Sequence, residues 1–149
     1  MLHQLFASMK IIKILSILTL LFNALILIGA GHGFGPIILF EFLIFSSDFT
    51  RDSEINLIGK YDEKLIPFAF LNLIFQIILF SSLFMNQKLK TRLITISVIC
   101  LLLNLLYFTY DFIESSLSRF TIISGIPFII IGCYLILKNN ITKTQLKNE

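Results

Sequence analysis

Charge is the scarcest thing in this chain. Only 14% of its 149 residues are Asp, Glu, Lys or Arg, while 56% are hydrophobic. A soluble domain of this size exposes too much surface to carry so few charges. Tryptophan is absent and there are two cysteines, Cys100 and Cys133, both within apolar stretches. They form no C-x-x-C pair, which excludes a membrane thiol oxidoreductase built on accessible paired thiols. They read as buried, inert thiols. Histidine occurs twice, at His3 and His32. One histidine near the apolar segments excludes a b-type haem held by two opposed imidazoles. H-E-x-x-H is absent, which excludes that class of metalloprotease. One His and one Glu fall short of a zinc ligand set. No nucleophile has an evident His partner. No Lys/Arg cluster is dense enough for a phosphate-binding face, so nucleic acid is not an expected partner.

What is present is long apolar runs. Four stand out, at Ile14–Ala30, Leu65–Met85, Leu93–Tyr110 and Phe120–Leu137. Each reaches the ~17–25 residues a helix needs to cross a bilayer. None carries an acid or base in its middle, where a charge would cost ~2.5–3.5 kcal/mol or more. The runs are continuously apolar, unlike the alternating strands of a membrane barrel.

The charges that do exist are sorted. The start of the chain, the Met85–Arg92 connection and the tail hold Lys10, Lys13, Lys88, Lys90, Arg92, Lys138, Lys143 and Lys147 against Glu149. The other two connections hold Arg51, Lys60, Lys64 and Arg119 against Glu41, Asp48, Asp52, Glu54, Asp62, Glu63, Asp111 and Glu114. This alternation predicts four spans with both termini in the cytoplasm. The expected fold is all-α, a four-helix transmembrane bundle forming one integral membrane domain over 1–149. Its spans are placed at about 11–30, 65–85, 93–110 and 120–137. The absence of Trp beside abundant Ile, Phe, Lys and Asn suits an AT-rich bacterial genome, hence a bacterial inner membrane. Met9-Lys10-Ile11-Ile12-Lys13 reads like a bacterial start, and the first run is expected to be a retained anchor rather than a cleaved signal peptide.

The first run ends in Gly29-Ala30-Gly31-His32-Gly33-Phe34-Gly35-Pro36, which holds four of the seven glycines. Each interior Gly costs a helix ~1 kcal/mol against Ala, so the helix is expected to end near Gly29. Pro36 suits the first turn of a new helix. That helix, about 36–46, is too short to cross and is expected to be interfacial or re-entrant on the outer side. An outer polar loop is expected over about 46–64. Short connections should pair the second span with the third, and the third with the fourth. Ser124-Gly125-Ile126-Pro127 should bend the last span. Asn139–Glu149 reads as a frayed polar tail.

Six residues are candidates for ligand binding. Glu41 lies in an apolar segment, where desolvation favours its protonated form and suits proton exchange or a cationic group. His32 sits among glycines that let a ligand approach the backbone. Asn23, Asn72 and Asn104 fall at similar heights on three spans, counting 1.5 Å per residue. Gln76 lies one turn from Asn72 on the same helix face. Amides cannot be left unpaired in lipid, so they should face inward as interhelical fasteners or as the floor of an outward-opening pocket. No catalytic set, metal site or cofactor follows from these residues. The expected function is a small non-enzymatic accessory or binding subunit of the inner membrane. The alternative is a small transporter or ligand-binding protein using Glu41 and His32. Membrane lipids are the expected partners, with another membrane protein or a second copy of the chain as further ones.

Overall fold

A computed structural model describes residues 2–30, 33–46, 61 and 63–147. The described chain is mostly helical. Helix α1 runs over Leu2–Ala24, strands β1 and β2 over Leu27–Ala30 and Gly33–Pro36, and the short helix α2 over Ile37–Leu43. Three long helices come after them: α3 at Leu65–Ser82, α4 at Gln87–Phe108 and α5 at Ser116–Lys147. These three are long and apolar enough to cross a membrane. That is the make-up of a multi-pass membrane protein.

The first run departs from expectation. Its helix stops at Ala24, and Leu27–Ala30 turns back as an antiparallel pair with Gly33–Pro36. Alternate glycines at 29, 31, 33 and 35 disfavour a helix and follow the two-residue period of a strand. Gly29 has a second reason to be glycine. A Cβ there would sit 2.6 Å from Leu117 Cδ2 on α5. The outer edge of β1 is closed by a side chain: the Leu27 N–H donates to Ser124 Oγ at 3.0 Å, and that hydroxyl lies 3.2 Å from the Leu27 carbonyl. The pair continues into α2 through the Ile37 N–H, which donates to the Ile26 carbonyl at 2.8 Å.

Apolar side chains form the core and also cover much of the surface, while several small polar side chains lie inside. On α1, Ser16, Thr19 and Asn23 are buried at helical spacing, whereas Ile14, Ile17 and Leu21 point outward, about half exposed. Ser16 and Thr19 donate to the carbonyls of Ile12 and Leu15, so burying them leaves no donor unpaired. The same sorting recurs on α4 and α5. Small residues there set a seven-residue register: Gly125 approaches Leu105, Gly132 approaches Val98, and Asn139 donates to the Thr91 carbonyl at 2.7 Å. Such a register lets two antiparallel helices pack closely. Helix α3 packs on α4, α4 on α5, and α1 on α5 and α3. Phe68 stacks on Phe108 at 4.1 Å between α3 and α4.

Two further expectations are corrected. The tail is helical to Lys147, and Asn139 is fully buried because its amide also donates to Thr95 Oγ1 at 2.9 Å. Cys133 faces outward on α5, while Cys100 is half-buried. Helix α5 runs on through Pro127. Most of the loop expected over about 46–64 lies outside the described residues.

Candidate functional site

Helix α2 has seven residues and cannot bury much by itself. One of them is Glu41, 2% exposed, and the acid points at α3. There it joins three amides in a closed arrangement. Asn72 Nδ2 donates to Glu41 Oε1 at 2.7 Å and to Asn23 Oδ1 at 2.8 Å. Gln76 Nε2 donates to Glu41 Oε1 at 2.9 Å and to Asn23 Oδ1 at 2.7 Å. Two amide nitrogens from α3 thus alternate with one oxygen from α1 and one from α2, at the corners of a square. Asn23 Nδ2 adds a longer bond of 3.4 Å to Asn72 Oδ1.

The hydrogen-bond arithmetic is tight. An amide NH2 has two donors. Both donors of Asn72 and both of Gln76 are spent on the square. Each of the two oxygens accepts twice. Glu41 lies outside the three apolar spans, on α2. Burial pushes its carboxyl pKa up, partly offset by the hydrogen bond from Asn72. No Lys, Arg or His among the described residues makes a salt bridge to it; Lys64 pairs with Asp111 instead.

Four of the six candidates are therefore in direct contact. Asn104 is not among them. Its Nδ2 donates to the Phe68 carbonyl at 3.0 Å, across the α3–α4 contact, and its Oδ1 has no partner among the described residues. His32 lies outside the described residues, as does Gly31. Height alone puts Asn104 level with the others, but rotation about α4 turns it toward α3 at Phe68 rather than toward Asn72.

A groove of about 440 Å³ lies between α1 and α3, lined by Ile17, Leu20, Leu21, Leu73, Gln76 and Phe80 among others. Gln76 lines it as well as belonging to the square, so the groove lies beside the square. A second groove of about 400 Å³, between α3 and α4, is lined by Leu71, Phe75, Cys100, Leu103, Asn104 and Tyr107. No group of three or more His, Cys, Asp or Glu gathers among the described residues.

A second charged cluster escapes the sequence reasoning. Lys64 is fully buried at the start of α3. Its Nζ lies 3.0 Å from Asp111 Oδ2 and 3.6 Å from the centre of the Tyr110 ring. Nearby, Tyr61 bonds Thr121 Oγ1 at 2.7 Å and packs on Phe108. The sequence does hold a signal for it: Lys64 directly precedes one apolar run and Asp111 directly follows another. Antiparallel spans bring those two ends together, where opposite charges can pair.

Searches against protein families, curated proteins and solved structures find no match to this chain. Its function is therefore inferred from its own geometry.

Proposed function

We propose that this is a four-span protein of a bacterial inner membrane, with both termini cytoplasmic and α2 on the outer side. In this reading it is a non-enzymatic binding or accessory subunit. The fourth span is α1 with the hairpin that follows it. Support for that count is the outward row of Ile14, Ile17 and Leu21, which suits lipid, above a buried row of Ser16, Thr19 and Asn23. The sorted loop charges support the orientation. A cysteine introduced between 48 and 62 should react with a membrane-impermeant maleimide from the periplasmic side. Protection there, with labelling only after lysis, would overturn the topology.

One observation carries the binding function: a buried carboxyl held by two amides of α3, beside an apolar groove. That combination suits a ligand with an apolar body and a cationic or hydrogen-donating head. The break between α1 and α2, followed by an acid that returns to the helices, has the character of a discontinuous helix at a binding site. It favours the transporter version of the same reading. Tetraphenylphosphonium is a suitable probe, with tetraphenylborate as its anionic control. In nanodiscs the phosphonium should bind saturably and the borate should not. Glu41→Gln should weaken binding about tenfold, the loss of one favourable charge–charge interaction. Equal binding of cation and anion, or no effect of Glu41→Gln, would overturn the proposal.

A further inference from the structure

Two lysines are buried among the described residues, Lys64 and Lys90. Lys64 has Asp111 as its counter-ion. Lys90 is 9% exposed, and its side chain has no hydrogen bond or ion pair among the described residues. It continues the inward face of α4 that carries Ile94, Ser97 and Leu101. The buried polar atoms without a partner are Asn104 Oδ1, Ser118 Oγ and Asn139 Oδ1, and the Lys90 ammonium is not one of them. The stem of Lys90 is therefore covered while its charged tip reaches the surface at the start of α4.

The chain offers this ammonium no acid. No Asp or Glu occurs over residues 1–40, 64–110 or 115–148. Glu63, Asp111 and Glu114 flank the far ends of α3 and α4, and Glu41 is bonded to Asn72 and Gln76. Glu149 lies outside the described residues. Positive charge accumulates at this end instead. Lys13 of α1, itself exposed, is close enough for its charge to repel that of Lys90. Lys90 also stands in the first turn of α4, where the N–H groups of a helix start carry partial positive charge. Lysines are unfavourable at a helix N-terminus, and anions are favourable there.

We propose that Lys90, Lys13 and the first turn of α4 form a site for the phosphate of an anionic membrane lipid. The phosphate supplies the negative charge that the chain lacks at this end. Position favours a lipid over a free anion. Helix α4 is long and apolar enough to cross a membrane, and Lys90 lies near its end, at the level of the headgroups. Phe84, Met85 and Leu89 are exposed next to it in the chain and suit acyl chains. The site shares no residue with the square around Glu41, so phosphonium binding and the lipid response stand or fall separately.

The test is thermal unfolding of the full chain in maltoside micelles, followed by circular dichroism, with lipid titrated in. Phosphatidylglycerol should raise the wild-type Tm by several degrees and saturate. Phosphatidylcholine, whose phosphate is balanced by its own ammonium, should not. Lys90→Gln should demand about tenfold more phosphatidylglycerol for the same shift. Lys13→Gln, exposed and therefore screened, should demand about threefold more. Lys143→Gln, exposed on α5, should leave the midpoint where it is. Equal shifts from the two lipids would overturn the site. So would a wild-type midpoint in Lys90→Gln, or a loss in Lys143→Gln as large as in Lys90→Gln. Should Lys90→Gln fail to fold, an unchanged midpoint in Lys13→Gln overturns it instead. Inorganic phosphate reproducing the shift without lipid would overturn the lipid assignment in favour of a free phosphate.

Discussion

The bond between Asn72 and Glu41 can be weighed by a double-mutant cycle. The perturbations are Glu41→Ala, Asn72→Ala and the pair together. Both side chains are almost fully buried, at 2% and 1% exposed, and their bond is 2.7 Å. Buried neutral hydrogen bonds between membrane helices average only ~0.6 kcal/mol, reaching ~1.7. Bonds to a charged group are worth about 1.5–3 kcal/mol. The coupling energy should therefore be about 0.6–1.7 kcal/mol with Glu41 protonated and about 1.5–3 kcal/mol with it ionised. Total stability should move the other way. Burial, the larger influence, raises the carboxyl pKa above its usual 4.5, and the Asn72 bond only partly opposes it. A raised pKa in the folded state means stability fully present below the unfolded pKa and lost as pH rises through the folded one. So the protein weakens with rising pH while the Glu41–Asn72 coupling grows. Reversible unfolding in mixed micelles with added dodecyl sulfate, read by circular dichroism, measures both. A coupling energy within ~0.5 kcal/mol of zero is ordinary additivity and would refute the contact. A coupling that stays flat while stability falls would refute the assignment of the titration to Glu41.

Two other outcomes are expected from the same physical rules. Glu41→Gln keeps an acceptor oxygen but cannot ionise, so the decline of stability with rising pH should flatten; a slope equal to wild type would place the titrating group elsewhere. Asp111→Asn leaves the buried Lys64 ammonium without its counter-ion and should cost about 2–3 kcal/mol, less than a fully buried pair because Asp111 is 18% exposed and the Tyr110 ring remains. Replacing the pair together by Lys64→Met and Asp111→Leu should recover most of that loss, and unfolding of the double variant at or below the level of Asp111→Asn would contradict it.

Much of this arrangement is legible in the sequence, and the parts that are not have identifiable causes. Long apolar runs reveal three helices because burial in lipid is a matter of length and composition. Asn72 and Gln76 can be placed on one face because four residues separate them, and helical geometry is local. Meeting Asn23 and Glu41 is not local, since it depends on how α1 and α2 rotate against α3. Counting heights fixes depth along the axis and leaves that rotation open, which is why it groups Asn104 with the wrong partners. The hairpin is half legible. Glycines at every second position are visible as helix breakers, and their period also matches a strand. Asn139 passes for part of a frayed tail because polar residues at a chain end resemble solvated ones. Its burial follows from the seven-residue register of Gly125 and Gly132, which continues to 139 and brings the amide to the Thr91 carbonyl.

Whether the square is only a fastener can be judged against the rest of the fold. Two amides elsewhere fasten the helices at depth without an acid, and the Lys64–Asp111 pair does so at the helix ends with a basic partner. Asn139 joins α5 to α4 through a backbone carbonyl and a hydroxyl. Asn104 joins α4 to α3 through a backbone carbonyl. Neither uses an acid, and each places a single polar side chain against groups that are already there. Around Glu41 four side chains meet, and one of them is a carboxyl whose burial is costly in its charged form. A glutamine at 41 would accept the same two hydrogen bonds without that cost. Among the described residues no other acid is buried as deeply. Fastening accounts for the amides of the square, and it leaves the carboxyl unexplained. A group that must sometimes carry charge, and at other times a proton or a cation, accounts for it.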